Sequence, residues 1–238
     1  MKHILHGLVW AKRHAAGQLP AEELTPLLET LADDDLFYDV GVHAGSWTIP
    51  ASRRLSRGHV YAFEALPYYA RVLRTTLALF GCRNVTVTVG AVGDAEGEAD
   101  ILWKDAAGRR LTGMTRISRG GDAGETVRVP ALTIDAFRRR HPGGRLRLMK
   151  CDVEGAELLV LRGAASTIDD SRPFVFCELY DAYCARFGYT SRDVFAFFAG
   201  RAYRTLSFDA GTFRPLDAAD YRGAGDVLFV PAEAPFGR

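Results

Sequence analysis

The sequence carries almost no net charge: 30 Lys and Arg stand against 29 Asp and Glu, a formal +1 over 238 residues. A protein built mainly to hold nucleic acid is usually more basic, so that partner is not expected. Its apolar runs fall far short of the roughly 20 residues that a membrane-spanning helix needs, which excludes a transmembrane chain and leaves no membrane partner expected. Cysteine is scarce, with four residues, Cys82, Cys151, Cys177 and Cys184. None stands in CxxC spacing, which argues against a structural zinc ribbon and for buried free thiols in a cytosolic protein. The opening Ile4, Leu5, Leu8 and Val9 are broken by His6 and Gly7 and followed by Lys12-Arg13-His14. That is too short an apolar core for a secretory signal, so a cytoplasmic location is expected and the sequon Asn84-Val85-Thr86 has no use. Also missing are GxGxxG, the Walker lysine pattern, Tyr followed four residues later by Lys, and the (N/D)PPY tetrapeptide of enzymes that methylate exocyclic amines of bases. What is present is an ordinary globular balance, 48% hydrophobic and 25% charged, at a length that suits one domain.

The hydrophobic pattern predicts an N-terminal helical segment over 1–35, acting as a lid or as a homodimer contact. Ile4, Leu5, Leu8 and Val9 share one side of its first helix, and Leu24, Leu27, Leu28 and Leu31 recur at helical spacing after Pro20. From residue 36 to 238, strands and helices alternate: strands at 36–40, 59–64 and 85–89, with helices at 47–55 and 67–80 between them. Such alternation predicts a parallel, doubly wound sheet with right-handed crossovers. Strands at 99–103 and 127–132 break the pattern as an antiparallel insertion, with a mobile Gly- and Arg-rich loop over 108–124. The parallel order resumes with a short helix at 134–140, a strand at 146–151, a helix at 155–161, a strand at 173–178 and a helix at 191–199. Strands at 203–208 and 226–230 close the chain as edges.

The first strand runs into Asp39-Val40-Gly41-Val42-His43-Ala44-Gly45. In open α/β sheets ligands bind beyond the carboxyl ends of the strands, where strand order reverses, and glycines there admit a ligand close to the backbone. Glu64 ends the second strand, where a carboxylate suits a ribose diol because it accepts from both hydroxyls. Asp39 near a pyrophosphate would be repulsive, whereas it would favour the cationic amino-acid end of S-adenosylmethionine. The plainer reading is a tight turn at Gly41 and Gly45 with Asp39 as a helix cap.

A second constellation sits at later strand ends. Asp152, Glu154 and Glu178 stand where the strands at 146–151 and 173–178 finish, and the doubly wound order brings both ends beside the first. Asp152 as a helix cap and Glu154 at a positive helix N-terminus is the bland alternative. The stretches DVGVHAG, YAFEALP, VGAVGD, LTIDAF, LMKCDVEGAELLVLRGA and PFVFCEL occur in the order seen in FkbM-type methyltransferases, and the chain resembles that family over residues 36–180. The resemblance implies a Rossmann-like class I methyltransferase that uses S-adenosylmethionine, often to methylate a hydroxyl of a natural product or sugar. It places Asp39, Gly41 and Gly45 in the glycine-rich loop, Glu64 with the adjoining Ala65 at the ribose, and Asp152 in the DVEG acid. His43, also counted among the cofactor contacts, stands where the family usually carries Asn. Adenine is expected beside Ala91 and Val92.

Methyl transfer to an alcohol is an in-line displacement that benefits from alignment and a general base. Asp152 is the first candidate base, followed by Glu178 and His43. A divalent metal on Asp152, Glu154 and Glu178 is chemically possible but not favoured. The acceptor is expected to be a small-molecule hydroxyl. Arg109, Arg110, Arg116 and Arg119, and the aromatic Tyr180, Tyr183 and Phe187, are candidates to meet it, while Arg138-Arg139-Arg140 reads as a solvated face. The competing readings are an N-methyltransferase of a small amine or amino sugar, a catalytically silent cofactor-binding module, and an NAD-dependent oxidoreductase.

Overall fold

Strand β1 (Leu36–Val40) is buried along its whole length, as a strand covered on both faces by helices must be. The computed structural model describes residues 2–18, 22–111, 114–118, 120 and 122–236. Pro20, the expected start of a helix, and Arg119 lie outside them. Two helices precede the sheet, α1 (Lys2–Ala15) and α2 (Leu24–Glu29). After β1 come α3 (Thr48–Arg54), β2 (His59–Glu64), α4 (Pro67–Phe80) and β3 (Val85–Val89). The excursion holds β4 (Ala91–Val92), β5 (Gly97–Asp105), β6 (Arg116–Ile117) and β7 (Gly124–Leu132). Then follow α5 (Ile134–Arg140), β8 (Leu146–Cys151), α6 (Glu157–Arg162), α7 (Ala165–Ser171), β9 (Phe174–Tyr180), α8 (Asp181–Cys184) and α9 (Ser191–Ala199). Three strands end the series, β10 (Tyr203–Asp209), β11 (Thr212–Pro215) and β12 (Ala224–Pro231).

The main sheet has eight strands in the order β11-β10-β12-β9-β8-β1-β2-β3. β3, β2, β1, β8 and β9 are parallel, as the alternation predicts. The chain moves outward from β1 through β2 to β3, then returns to β8 on the other flank. The β1/β8 boundary is therefore the switch point at which ligand crevices open. Side chains alternate between two cores: Tyr38 and Val40 pack under α5, α6 and α9, while Phe37 meets the α2 leucines Leu24 and Leu27 and the α3-side Trp47.

Several expectations need correction. Neither closing strand, 203–208 nor 226–230, is an edge: β12 runs antiparallel between β9 and β10, and β10 lies between β12 and β11. The edge is β11, absent from the sequence reading. The 155–161 helix begins at Glu157, because Glu154 and Gly155 take φ of 58° and 104°. The insertion is antiparallel as expected, with β5 pairing β7, but the 108–124 loop contains the short strand β6, paired to β5. On α1 the buried residues are Gly7 and Trp10, and the Ile4, Leu5, Leu8 and Val9 side faces outward. Three cysteines are buried, Cys82 is half-buried, and all four are free. Among the described residues no helix is long and apolar enough to cross a membrane.

Candidate functional site

The chain leaves β1 at Gly41, whose φ is +83°. A Cβ there would stand 1.8 Å from the Asp152 carbonyl oxygen, so the loops after β1 and β8 touch backbone to backbone and only glycine fits. The Asp152 N–H donates to the Val40 carbonyl (3.1 Å), and the Gly41 N–H to the Phe63 carbonyl (3.1 Å). His43 follows at φ +48°, a left-handed conformation in which Asn, Asp and His are enriched among non-glycine residues. This conformation accompanies a hydrogen bond from the His43 N–H to Glu64 Oε2 (3.1 Å), while the Leu66 N–H donates to Oε1 (2.8 Å). Glu64 is 5% exposed. Burial pushes its pKa up to about 7, against the pull of those two N–H donors.

A cleft opens above this loop between the two sheets. Gly41, His43, Glu64, Ala65, Ala91, Val92 and Asp152 all line it, together with Phe63, Ile101, Ile117 and Glu154. Asp39, Gly45 and Glu178 are not among the lining residues. Asp39 is 1% exposed. It accepts a hydrogen bond from Thr48 Oγ1 (2.6 Å), and burial raises its pKa against the pull of Lys150. Gly45 closes the turn, its N–H on the Val42 carbonyl (3.0 Å).

Lys150 is the residue that sequence reasoning passed over. Its Nζ donates to the Gly41 carbonyl (2.8 Å) and to Asp152 Oδ2 (2.9 Å), and stands 3.8 Å from Asp39 Oδ1. Burial works to discharge it, but the carboxylates of Asp152 and Asp39 prevail and raise its pKa, so it stays an ammonium. The signal was available: a lysine flanked by Met149 and Cys151 at the inner end of a predicted strand demands partners.

The structure brings Asp152, Glu154 and Glu178 together, with one oxygen of each within 4.8 Å of the others. Burial, then the Asp152 charge and a hydrogen bond to it, push Glu178 up to about 9. Burial and the same charge push Glu154 to about 7. Asp152 does not cap α6. No side chain caps it at Ala156; its Leu158 N–H donates to the Tyr189 hydroxyl (3.2 Å), and Glu157 Oε1 accepts from the Val153 and Gly155 N–H groups of the loop before it (3.0 and 3.1 Å). Three hard oxygens are a cation's donor set, but the Lys150 ammonium already sits on Asp152.

His43 lines the cleft with its ring edge-on to Trp10 of α1 (5.3 Å between centroids) and to Tyr69 (5.4 Å). Burial and Lys150 lower its pKa, and its Nε2 is buried without a hydrogen bond. Of the candidate arginines, Arg116 reaches the cleft, where it bonds Asp122 (3.1 Å). Arg109 bonds Asp105, and Arg110 lies over the Tyr68 ring. Tyr180 and Tyr183 are half-buried and tilted together at 5.3 Å, whereas Phe187 belongs to the core.

The family model described as the methyltransferase FkbM domain matches residues 39–205. Among solved structures, the chain is similar to an FkbM methyltransferase of Methylobacillus flagellatus (15% identity, TM-score 0.53), covering 84% of this chain and 45% of that one. It therefore spans less than half of that relative's length. It is also similar to a proposed O-methyltransferase of Klebsiella pneumoniae (17% identity, 98% of this chain and 91% of that one, TM-score 0.52). A third is the O-methyltransferase of Bacillus cereus in complex with SAH (12% identity, 97% and 91%, TM-score 0.50). At such identities these structures speak for the fold alone. No curated protein matches the chain. The match over most of its length shows that the chain belongs to the FkbM methyltransferase family, on the Rossmann-like class I methyltransferase fold.

Proposed function

We propose that this FkbM methyltransferase binds S-adenosylmethionine in the β1/β8 cleft and methylates a hydroxyl of a small molecule such as a sugar or natural product. The observation that carries the reading is Glu64: a buried carboxylate at the tip of β2, fixed by two backbone N–H donors and facing the cleft beside Gly41. Each of its oxygens keeps a lone pair for a ribose hydroxyl. Phe63, Ala91, Val92, Ile101 and Ile117 supply apolar walls suited to adenine.

When bound, the cofactor supplies an electrophilic methyl group on a sulfonium. The chain's own task is to align the acceptor oxygen and remove its proton. Asp152 lines the cleft and takes that proton. Lys150 holds one of its oxygens, and Glu178, protonated near neutrality, donates to it from behind. His43, kept neutral by burial, is the second candidate base. The Lys150 ammonium supplies a fixed positive charge at Asp152 Oδ2. A second reading, transfer to a small amine, is favoured by the gathering of Asp152, Glu154 and Glu178, one oxygen of each within 4.8 Å of the others, which offers several hydrogen-bond acceptors to an amine.

The test is calorimetric titration with S-adenosylhomocysteine beside NAD. Binding of the former, abolished by Glu64→Ala, supports the reading. Binding of NAD alone, or of neither, overturns it.

A further inference from the structure

Helix α1 packs along α4 by one face. Gly7 lies so close to α4 that a Cβ would stand 2.8 Å from the Thr75 side chain. Trp10 is buried, His6 lies 3.3 Å from the Tyr68 hydroxyl, and His14 Nε2 bonds the Ala44 carbonyl (2.9 Å). The opposite face is apolar. Ile4, Leu5, Leu8 and Val9 are 48%, 67%, 47% and 49% exposed, four of the six large hydrophobics exposed among the described residues. Single exposed apolar side chains need no account, but four on one stripe of one helix do.

Charge on the helix has one sign. Lys2, Lys12 and Arg13 are present and no acid is. The helix histidines feel the same environment: burial, then Arg110, lowers the pKa of His6, and burial, then Arg53 and Arg13, lowers that of His14. The near-neutral total of the chain hides this local excess. A second copy docking symmetrically on the stripe would set like cations against like. An anionic occupant satisfies both the stripe and its charges.

We propose that α1 docks the protein on an anionic lipid bilayer, lying in the interface with its apolar stripe at the acyl boundary and Lys2 and Lys12 among the headgroups. Composition alone gave no expectation of a membrane partner. The buried face of the same helix touches His43 through Trp10, so the docked surface lies one helix thickness from the cleft. The inference is independent of the methyl-transfer reading.

The full chain is sedimented with vesicles of phosphatidylcholine alone and of phosphatidylcholine mixed with phosphatidylglycerol, at low and high salt. Binding to the mixed vesicles only, weakened by salt, is expected. Leu5→Asp with Leu8→Asp lowers partition by about ten-fold or more, and each of Lys2→Ala and Lys12→Ala by about five-fold. The lysine variants remove no packing, and melting curves check that every variant is folded. No vesicle binding, equal binding to both compositions, or undiminished binding of the leucine variant overturns the proposal. A dimer in sedimentation equilibrium that Leu5→Asp dissolves, with no vesicle binding, assigns the face to a second copy instead. Absence of both assigns it to a partner protein.

Discussion

Glu64 offers a test in which two pH slopes must run in opposite directions. Ribose hydroxyls donate best to the ionised carboxylate, yet burial sets its pKa at about 7 in the free protein. At pH 6 about one molecule in eleven then carries the anion, and at pH 8 about ten in eleven, so the affinity for S-adenosylhomocysteine rises by about ten-fold between them. Stability moves the other way. An acid whose folded pKa lies above its ordinary value of 4.5 binds more protons folded than unfolded. Ionised Glu64 therefore opposes folding, and stability falls as pH rises from about 4.5 to about 7, by up to about 3 kcal/mol from this group. Glu64→Gln abolishes the affinity slope. It also weakens binding about ten- to a hundred-fold, the worth of a charge-assisted hydrogen bond, because an amide accepts through one oxygen only. Calorimetric titrations of both proteins at pH 6 and 8 read the affinities directly. A wild-type affinity that does not change with pH, or a Gln variant that keeps the slope, refutes the placement of the ribose on Glu64.

Asp152→Asn should cut the rate of labelled methyl transfer by about a hundred-fold or more and leave S-adenosylhomocysteine affinity unchanged; near-normal turnover removes Asp152 as the base. Lys150→Met leaves Asp39 and Asp152 without their buried cation, at a cost of about 3–5 kcal/mol in urea denaturation at pH 8. The loss should shrink at pH 5.5, where Asp39, its pKa already raised by burial, takes up a proton more readily. An equal loss at both pH values contradicts that account. Gly41→Ala forces a Cβ onto the Asp152 carbonyl at positive φ and should lower stability by more than about 2 kcal/mol; a wild-type melting curve would show that the two loops do not touch.

The parallel core was legible because each of its strands is a short apolar run set between helical periods, and β1, β2, β3 and β8 begin and end where the pattern puts them. β11 was not legible: Thr212–Pro215 buries only Phe213, too little to register as a pattern. Nor was the place of β12, since order across a sheet is set by pairings between distant residues that no local window records. The apolar stripe of α1 was visible, but periodicity states which residues share a face and not whether that face turns inward; the close approach at Gly7 decides it. In the site, Gly41, Glu64 and Asp152 could be placed because each ends a predicted strand. Lys150 could not, because two of its partners, Gly41 and Asp39, lie more than a hundred residues away in sequence.

The insertion of β12 between β9 and β10 also constrains the order of assembly. Among the described residues β10 pairs with β11 and β12 alone, so the β10–β11 hairpin has no edge of the parallel core to join until β12 has been made. During synthesis, which proceeds from the N-terminus, the core through β9 can close while the hairpin Tyr203–Pro215 waits unattached. Truncation between Pro215 and Ala224 would then cost three strands rather than one. It would also leave the β9 edge bare, with its unpaired backbone groups open to pairing with other chains.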